Sequence, residues 1–198
     1  YGRLRETIRK DDTLVFLGDY IDRGGNPYRT VEFLIGLSRV HHAVFLKGNH
    51  ESMLLSYLSG PDGGLYFRNG GERTIESYRR AFGSFSIPSS HMEFFRSLIL
   101  YYETDNFIAV HAGLDPKITT MDLQSEEDML WIRDEFYHAD HRWPKTIIFG
   151  HTPAVHLTGA MSRPHFDDRR NIIGLDTGAV YGGRLTCLRW PDREVFPS

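Results

Sequence analysis

Cysteine is nearly missing from this chain: Cys187 is the only one in 198 residues. No internal disulfide can form, which excludes a scaffold held together by cross-links. Cys187 lies in the strand-like run Leu185-Thr186-Cys187-Leu188, where a buried, inert thiol is expected. Long apolar runs are also missing, and none approaches the roughly 20 residues that a membrane-crossing helix needs. Neither sign of charge dominates. The 23 basic and 26 acidic residues leave a formal charge of −3, which argues against nucleic acid or an anionic membrane as partner. Low-complexity tracts, internal repeats and linkers are lacking too, so a single domain over 1–198 with a substantial core is expected. A cytoplasmic location fits these features best.

What the chain does have is a recurrent local pattern. Thr13-Leu14-Val15-Phe16-Leu17 runs into Gly18-Asp19-Tyr20-Ile21-Asp22-Arg23-Gly24, and Ala43-Val44-Phe45-Leu46 leads to Gly48-Asn49-His50-Glu51. Phe107-Ile108-Ala109-Val110 meets His111-Ala112-Gly113, and Ile147-Ile148-Phe149 meets Gly150-His151-Thr152-Pro153. A further run, Ile172-Ile173-Gly174-Leu175, ends at Asp176. Short β-rich runs that stop at glycine read as buried strands ending at a sheet edge. Residues just past such ends carry ligands and chemistry in α/β folds. Here four of the ends deliver Asp, Asn, His and His.

That mixture of carboxylate, amide oxygen and imidazole suits a divalent cation. Asp19, Asn49, His111 and His151 are therefore the candidate ligands, with Asp19 the natural bridge between two ions. Such a pair acidifies a water and clamps phosphate oxygens for in-line attack. His50, beside Asn49, is placed to protonate a leaving oxygen, and Asp22 to hold its imidazole in the cationic form. Arg23 and Arg133 are candidates for bidentate phosphate binding, and Lys47 adds positive charge.

Around these residues the expected elements are mixed. A helix is expected over Tyr1–Arg9, and another after Asn26 (N-cap) and Pro27, burying Val31, Leu34 and Ile35. Strand, helix and strand over 13–49 imply a parallel pair. A helical insert occupies about 52–102. Within it, Gly60–Gly71 reads as a loop, Ile75, Tyr78 and Phe82 mark a helix, and Ser90 with Glu93 reads as a capping box. His91 reads as a surface or helix-end residue. A helix around 125–136 carries Trp131 and Arg133, Trp131, Phe136 and Tyr137 read as core residues, and a hairpin turns near Pro191-Asp192.

The motifs GDxxDRG at Gly18–Gly24, GNHE at Gly48–Glu51, HAG at His111–Gly113 and GHTP at Gly150–Pro153 resemble the phosphoprotein phosphatase family of calcineurin-like metallophosphoesterases. Asn69-Gly70-Gly71, Leu130-Trp131-Ile132-Arg133 and Asp176-Thr177-Gly178 look like its bacterial and lambda-phage branch. The resemblance implies a four-layer α/β/β/α sandwich of two mixed sheets. It implies two divalent ions, Mn²⁺ first with Fe or Zn²⁺ as other options, and the second would be held by Asp19, Asn49, His111 and His151. It further implies an acid dyad at His50 and Asp22, and phosphate arginines at Arg23 and Arg133. The expected reaction is hydrolysis of phosphoserine and phosphothreonine, or of phosphotyrosine, in a phosphoprotein or phosphopeptide. The family opens with DxHG, which supplies ligands to the first ion. Tyr1-Gly2-Arg3-Leu4 resembles the residues that follow it, so the motif and the first strand are expected upstream. Two alternatives stand. A diadenosine tetraphosphate hydrolase is disfavoured by Asp22 and Glu51, since those relatives usually replace that aspartate and often read GNHD. A non-catalytic binding module would follow if the first ion's ligands were truly lacking.

Overall fold

The structure, a computed structural model, describes residues 7–60, 63–160 and 162–197. They form two compact units, one of Thr13–Ile99 and one of the N-terminal segment to Asp12 together with Leu100 onward. The first six residues of the expected helix over Tyr1–Arg9 lie outside the described residues, and residues 7–9 carry no helix. Among the described residues, no helix is long and apolar enough to cross a membrane.

The unit Thr13–Ile99 begins with β1 (Thr13–Phe16), α1 (Pro27–Ser38) and β2 (His42–Phe45). β1 and β2 pair in parallel, Thr13 opposite His42 and Phe16 opposite Phe45. The Asn26 side chain accepts from the Arg29 amide at 3.3 Å, and Pro27 occupies the first helical position, where its missing N–H costs nothing. Val31, Leu34 and Leu37 recur on the buried face. Then come α2 (Asn49–Ser59), α3 (Gly64–Arg68), α4 (Glu72–Phe82) and α5 (Ser89–Ser97), so the helical insert is real. Its details differ from expectation. Part of the glycine-rich stretch is helical, as α3. α5 starts one residue before Ser90, with Pro88 at its cap and no side-chain cap. His91 is not at the surface. It is fully buried, its Nδ1 2.7 Å from the Tyr78 hydroxyl and its Nε2 2.5 Å from Glu32 Oε1. The core of this unit is led by Leu46, Leu54, Tyr66, Tyr78 and Phe95.

The other unit carries β3 (Tyr101–Glu103), β4 (Phe107–Val110), α6 (Glu126–Trp131), α7 (Asp134–Tyr137), β5 (Thr146–Phe149), α8 (Val155–Thr158), β6 (His165–Asp167), β7 (Ile172–Gly174), β8 (Thr186–Arg189) and β9 (Glu194–Pro197). Five strands form a mixed sheet in the order β3-β4-β5-β7-β6, parallel from β4 through β7 with antiparallel edges. β8 and β9 form the expected hairpin. The helix expected over 125–136 is broken. Arg133, at φ −135° and ψ −101°, interrupts it between α6 and α7. Phe136 and Tyr137 enter the core with Val110, Leu114 and Phe149, whereas Trp131 is only half-buried. α6 sends Met129 and Leu130 inward, and the next side chain along is rotated away from that face. Cys187 is half-buried on β8, where burial pushes its thiol pKa up.

Candidate active site

In the unit Thr13–Ile99, the turn after β1 is wound tightly. Asp19, Asp22 and Arg23 have φ of 58°, 64° and 51°. Left-handed backbone at non-glycine residues costs on the order of 1–3 kcal/mol each and persists only where surroundings impose it. Those surroundings are visible. Glu51 is fully buried, and its carboxylate accepts from the amides of Gly48 (2.9 Å), Asp19 (3.0 Å) and Tyr20 (2.7 Å). The Asp22 amide donates to Thr74 Oγ1 at 2.9 Å, and the Arg23 amide to the Gly70 carbonyl at 3.4 Å. Gly48 permits the approach of the two turns, because a Cβ there would meet the Asp19 nitrogen at 2.5 Å and Glu51 Oε2 at 2.8 Å.

The same packing joins Asp22 to His50. Asp22 Oδ2 lies 2.7 Å from His50 Nδ1, with both residues buried. Thr74 and Tyr66 donate hydroxyls to Asp22 Oδ1 at 2.6 and 3.0 Å. Burial by itself would lower the His50 pKa. The hydrogen bond to Asp22, with the charges of Asp19 and Asp22, outweighs it and raises the value. Burial, then the Asp19 charge, push the Glu51 carboxyl up to about 7. The Asp19 carboxylate accepts from the His50 amide at 3.3 Å, and Asn49 is buried at the start of α2. Arg23 is exposed, its guanidinium resting on the carbonyl and side-chain oxygens of Asn69 at 3.1 and 3.4 Å. Lys47 is half-buried, and its amide donates to the Ile99 carbonyl at 2.7 Å.

In the other unit, β4 and β5 end side by side at His111 and His151. The Gly150 amide donates to the His111 carbonyl at 2.8 Å. The imidazole centroids are 5.0 Å apart, and a ring nitrogen of each lies within 4.8 Å of the other. His151 takes φ 60°, and its Nε2 is shut off from solvent. The Trp131 ring stands edge-on to His151 at 6.0 Å. Arg133 donates to Thr152 Oγ1 at 2.9 Å. Asp176 shapes its own loop, accepting from the Gly178 amide at 2.9 Å.

These donors fit a divalent cation. Two imidazoles close enough to share an ion complement a carboxylate and an amide oxygen, a set that borderline cations such as Mn²⁺, Fe²⁺ and Zn²⁺ accept. Three residues of the site escape sequence reasoning. Thr74 and Tyr66, which hold Asp22, lie 52 and 44 positions away from it. Glu51 sits in a motif, but its role as a backbone acceptor is set by the fold.

The sequence pattern of the calcineurin-like phosphoesterases matches residues 2–183. The chain is 30% identical over 201 residues to the bis(5'-nucleosyl)-tetraphosphatase PrpE (asymmetrical) of Geobacillus sp. (strain WCH70), covering 92% of this chain and 77% of that one. A solved structure provisionally assigned as a diadenosine tetraphosphatase superposes with a TM-score of 0.74 at 24% identity, covering 100% of this chain and 85% of that one. A mutant of a cold-active protein tyrosine phosphatase shares the fold at a TM-score of 0.60 and 15% identity, over 93% of this chain and 69% of that one. The metallophosphoesterase α/β fold with mixed sheets and helices is thereby shown. The phosphoprotein or phosphopeptide partner expected from the motifs is overturned, because the curated relative is named for a nucleotide substrate. The physical reason is that the motifs handle a phosphoryl group and carry no information about what it is attached to. Glu51, which weighs against a nucleotide on sequence grounds, accepts hydrogen bonds from three backbone amides.

Proposed function

This chain belongs to the calcineurin-like phosphoesterase family, and from that premise we propose that it hydrolyses bis(5'-nucleosyl) tetraphosphates asymmetrically. Its class, a metallophosphoesterase hydrolase, follows from the family. The substrate rests on one observation, the likeness of nearly the whole chain to a relative named for that reaction. Four phosphates cut asymmetrically give a nucleoside triphosphate and a nucleoside monophosphate.

Asp19, Asn49, His111 and His151 would hold one cation, and Asp19 would be shared with a second. Bound divalent cations of this kind acidify a water and neutralise charge on phosphate oxygens. The remaining work falls to side chains of this chain. Arg23 and Arg133 bind and orient phosphate oxygens through planar guanidinium groups, and Lys47 adds positive charge. Asp22 accepts from Nδ1 of the His50 imidazolium, which leaves Nε2–H to face the departing oxygen. One bond forms from the water oxygen to phosphorus and one anhydride P–O bond breaks. The expelled group is a phosphate, a much weaker base than the alkoxide of a serine ester. The demand on His50 as an acid is correspondingly smaller.

Incubation with diadenosine tetraphosphate and Mn²⁺, followed by chromatography of the products, tests this reading. ATP and AMP are expected, and an Asn49→Ala variant should abolish both. Two molecules of ADP, no cleavage, or full activity in the variant would refute it.

A further inference from the structure

The break between α6 and α7 opens a cavity of about 700 Å³ whose walls include Asp115, Lys117, Glu127, Trp131, Ile132 and Arg133. We propose that this cavity seats one nucleoside of the substrate, its base stacked on the Trp131 indole and its phosphate directed to Arg133. The inference rests on the dinucleotide reading above and adds the residues that would recognise the nucleoside.

Size, surface and charge agree on this occupant. The volume lies within the roughly 300–1,000 Å³ typical of small-ligand sites. Trp131 and Ile132, both half-buried, give an apolar wall, and a large flat aromatic is a general stacking surface for bases. The cavity's charged walls comprise Asp115, Glu127, Asp128 and Glu135 against Lys117 and Arg133. Glu127 and Glu135 are both exposed. A polyphosphate would be repelled by such a surface. The hydroxyls of a ribose and the amine of a base are hydrogen-bond donors and would be accepted. The position also fits. Trp131 touches His151 edge-on at 6.0 Å, and Arg133 bonds Thr152, the next residue. A nucleoside on the indole therefore sits one side chain from a proposed ligand and beside a proposed phosphate arginine.

The test uses the full chain with Mn²⁺ and compares kcat/KM for diadenosine tetraphosphate with that for p-nitrophenyl phosphate, which has no nucleoside. Any disturbance of His151 affects both substrates, so the ratio isolates the base. Loss of the stacking surface means that Trp131→Ala should lower the ratio about tenfold, and Trp131→Phe should restore most of it. A ratio within about twofold of wild type, or a phenylalanine variant no better than alanine, overturns the proposal. AMP should also quench the tryptophan fluorescence of the wild type but not of Trp131→Phe, which retains Trp143 and Trp190. Equal quenching in both, or none in the wild type, overturns the seat. Lack of dinucleotide turnover in the wild type would instead remove the proposed function, and AMP quenching would still decide the seat.

Discussion

Thr74→Val tests the idea that the strained turn at Asp22 is held by partners distant in sequence. Thr74 is fully buried on α4. Its hydroxyl accepts from the Asp22 amide at 2.9 Å and donates to Asp22 Oδ1 at 2.6 Å. Valine has nearly the same shape, so no cavity forms, but both bonds vanish. The Asp22 amide is then buried without an acceptor, at about 1–3 kcal/mol, and the carboxylate loses one charge-assisted bond, at about 1.5–3 kcal/mol. Relaxation and the remaining Tyr66 bond recover part, so a net loss of about 3 kcal/mol is expected. For a chain of this size that corresponds to a fall in Tm of about 6–12 °C. Thr74→Ser keeps both bonds and should lose less than about 1 kcal/mol, chiefly one buried methyl. Urea denaturation and calorimetry measure both variants. A valine variant as stable as the serine variant would refute the account, because the methyl and not the hydroxyl would then be holding the turn.

Glu51→Gln should slow dinucleotide and p-nitrophenyl phosphate hydrolysis in parallel, since its oxygens meet only the Gly48, Asp19 and Tyr20 amides in the bonds described. A change in the ratio of the two rates would show that Glu51 reads the substrate. His50→Gln should lower kcat by up to about 10²–10⁴-fold with phenyl phosphate and by clearly less with the anhydride. Equal losses would argue against His50 as the acid. Mn²⁺ should raise the Tm of the chelator-treated wild type through binding linkage and raise that of His151→Ala much less, as differential scanning fluorimetry would show. The Asp167 carboxyl is pushed up by burial, but its bonds to the Arg170 amide and guanidinium at 3.0 and 2.7 Å prevail and hold its pKa low. Its contribution to stability is full above the ordinary aspartate value of about 4 and is lost as pH falls through the lowered one. Asp167→Asn should therefore flatten the acid limb of a Tm–pH profile.

The legible parts of the fold were those specified locally. β1, α1 and β2 could be read because apolar runs, the Asn26 cap and Pro27 act within a few residues. The strand ends at His111 and His151 were legible for the same reason. Where tertiary packing competes with local pattern, the structure departs from it. The helix over 125–136 is interrupted although its apolar spacing continues, because the break lets Phe136 pack into the core while Trp131 stays at a cavity wall. His91 reads as a surface residue in the sequence because histidine has no periodic signature, yet it is fully buried. Its burial depends on Glu32 and Tyr78, each on another helix. The cap expected at Ser90 is displaced by two residues to Pro88, whose carbonyl accepts from the His91 and Met92 amides.

By itself the sequence determined the class of chemistry, since only certain residue types can grip a divalent cation and a phosphoryl group, and their positions after short strands mark them. Tertiary structure decided which groups support that chemistry: Thr74 and Tyr66 behind Asp22, Glu51 beneath the turn, and Trp131 facing a cavity. Those roles depend on distances between segments far apart along the chain, and no local pattern encodes such distances.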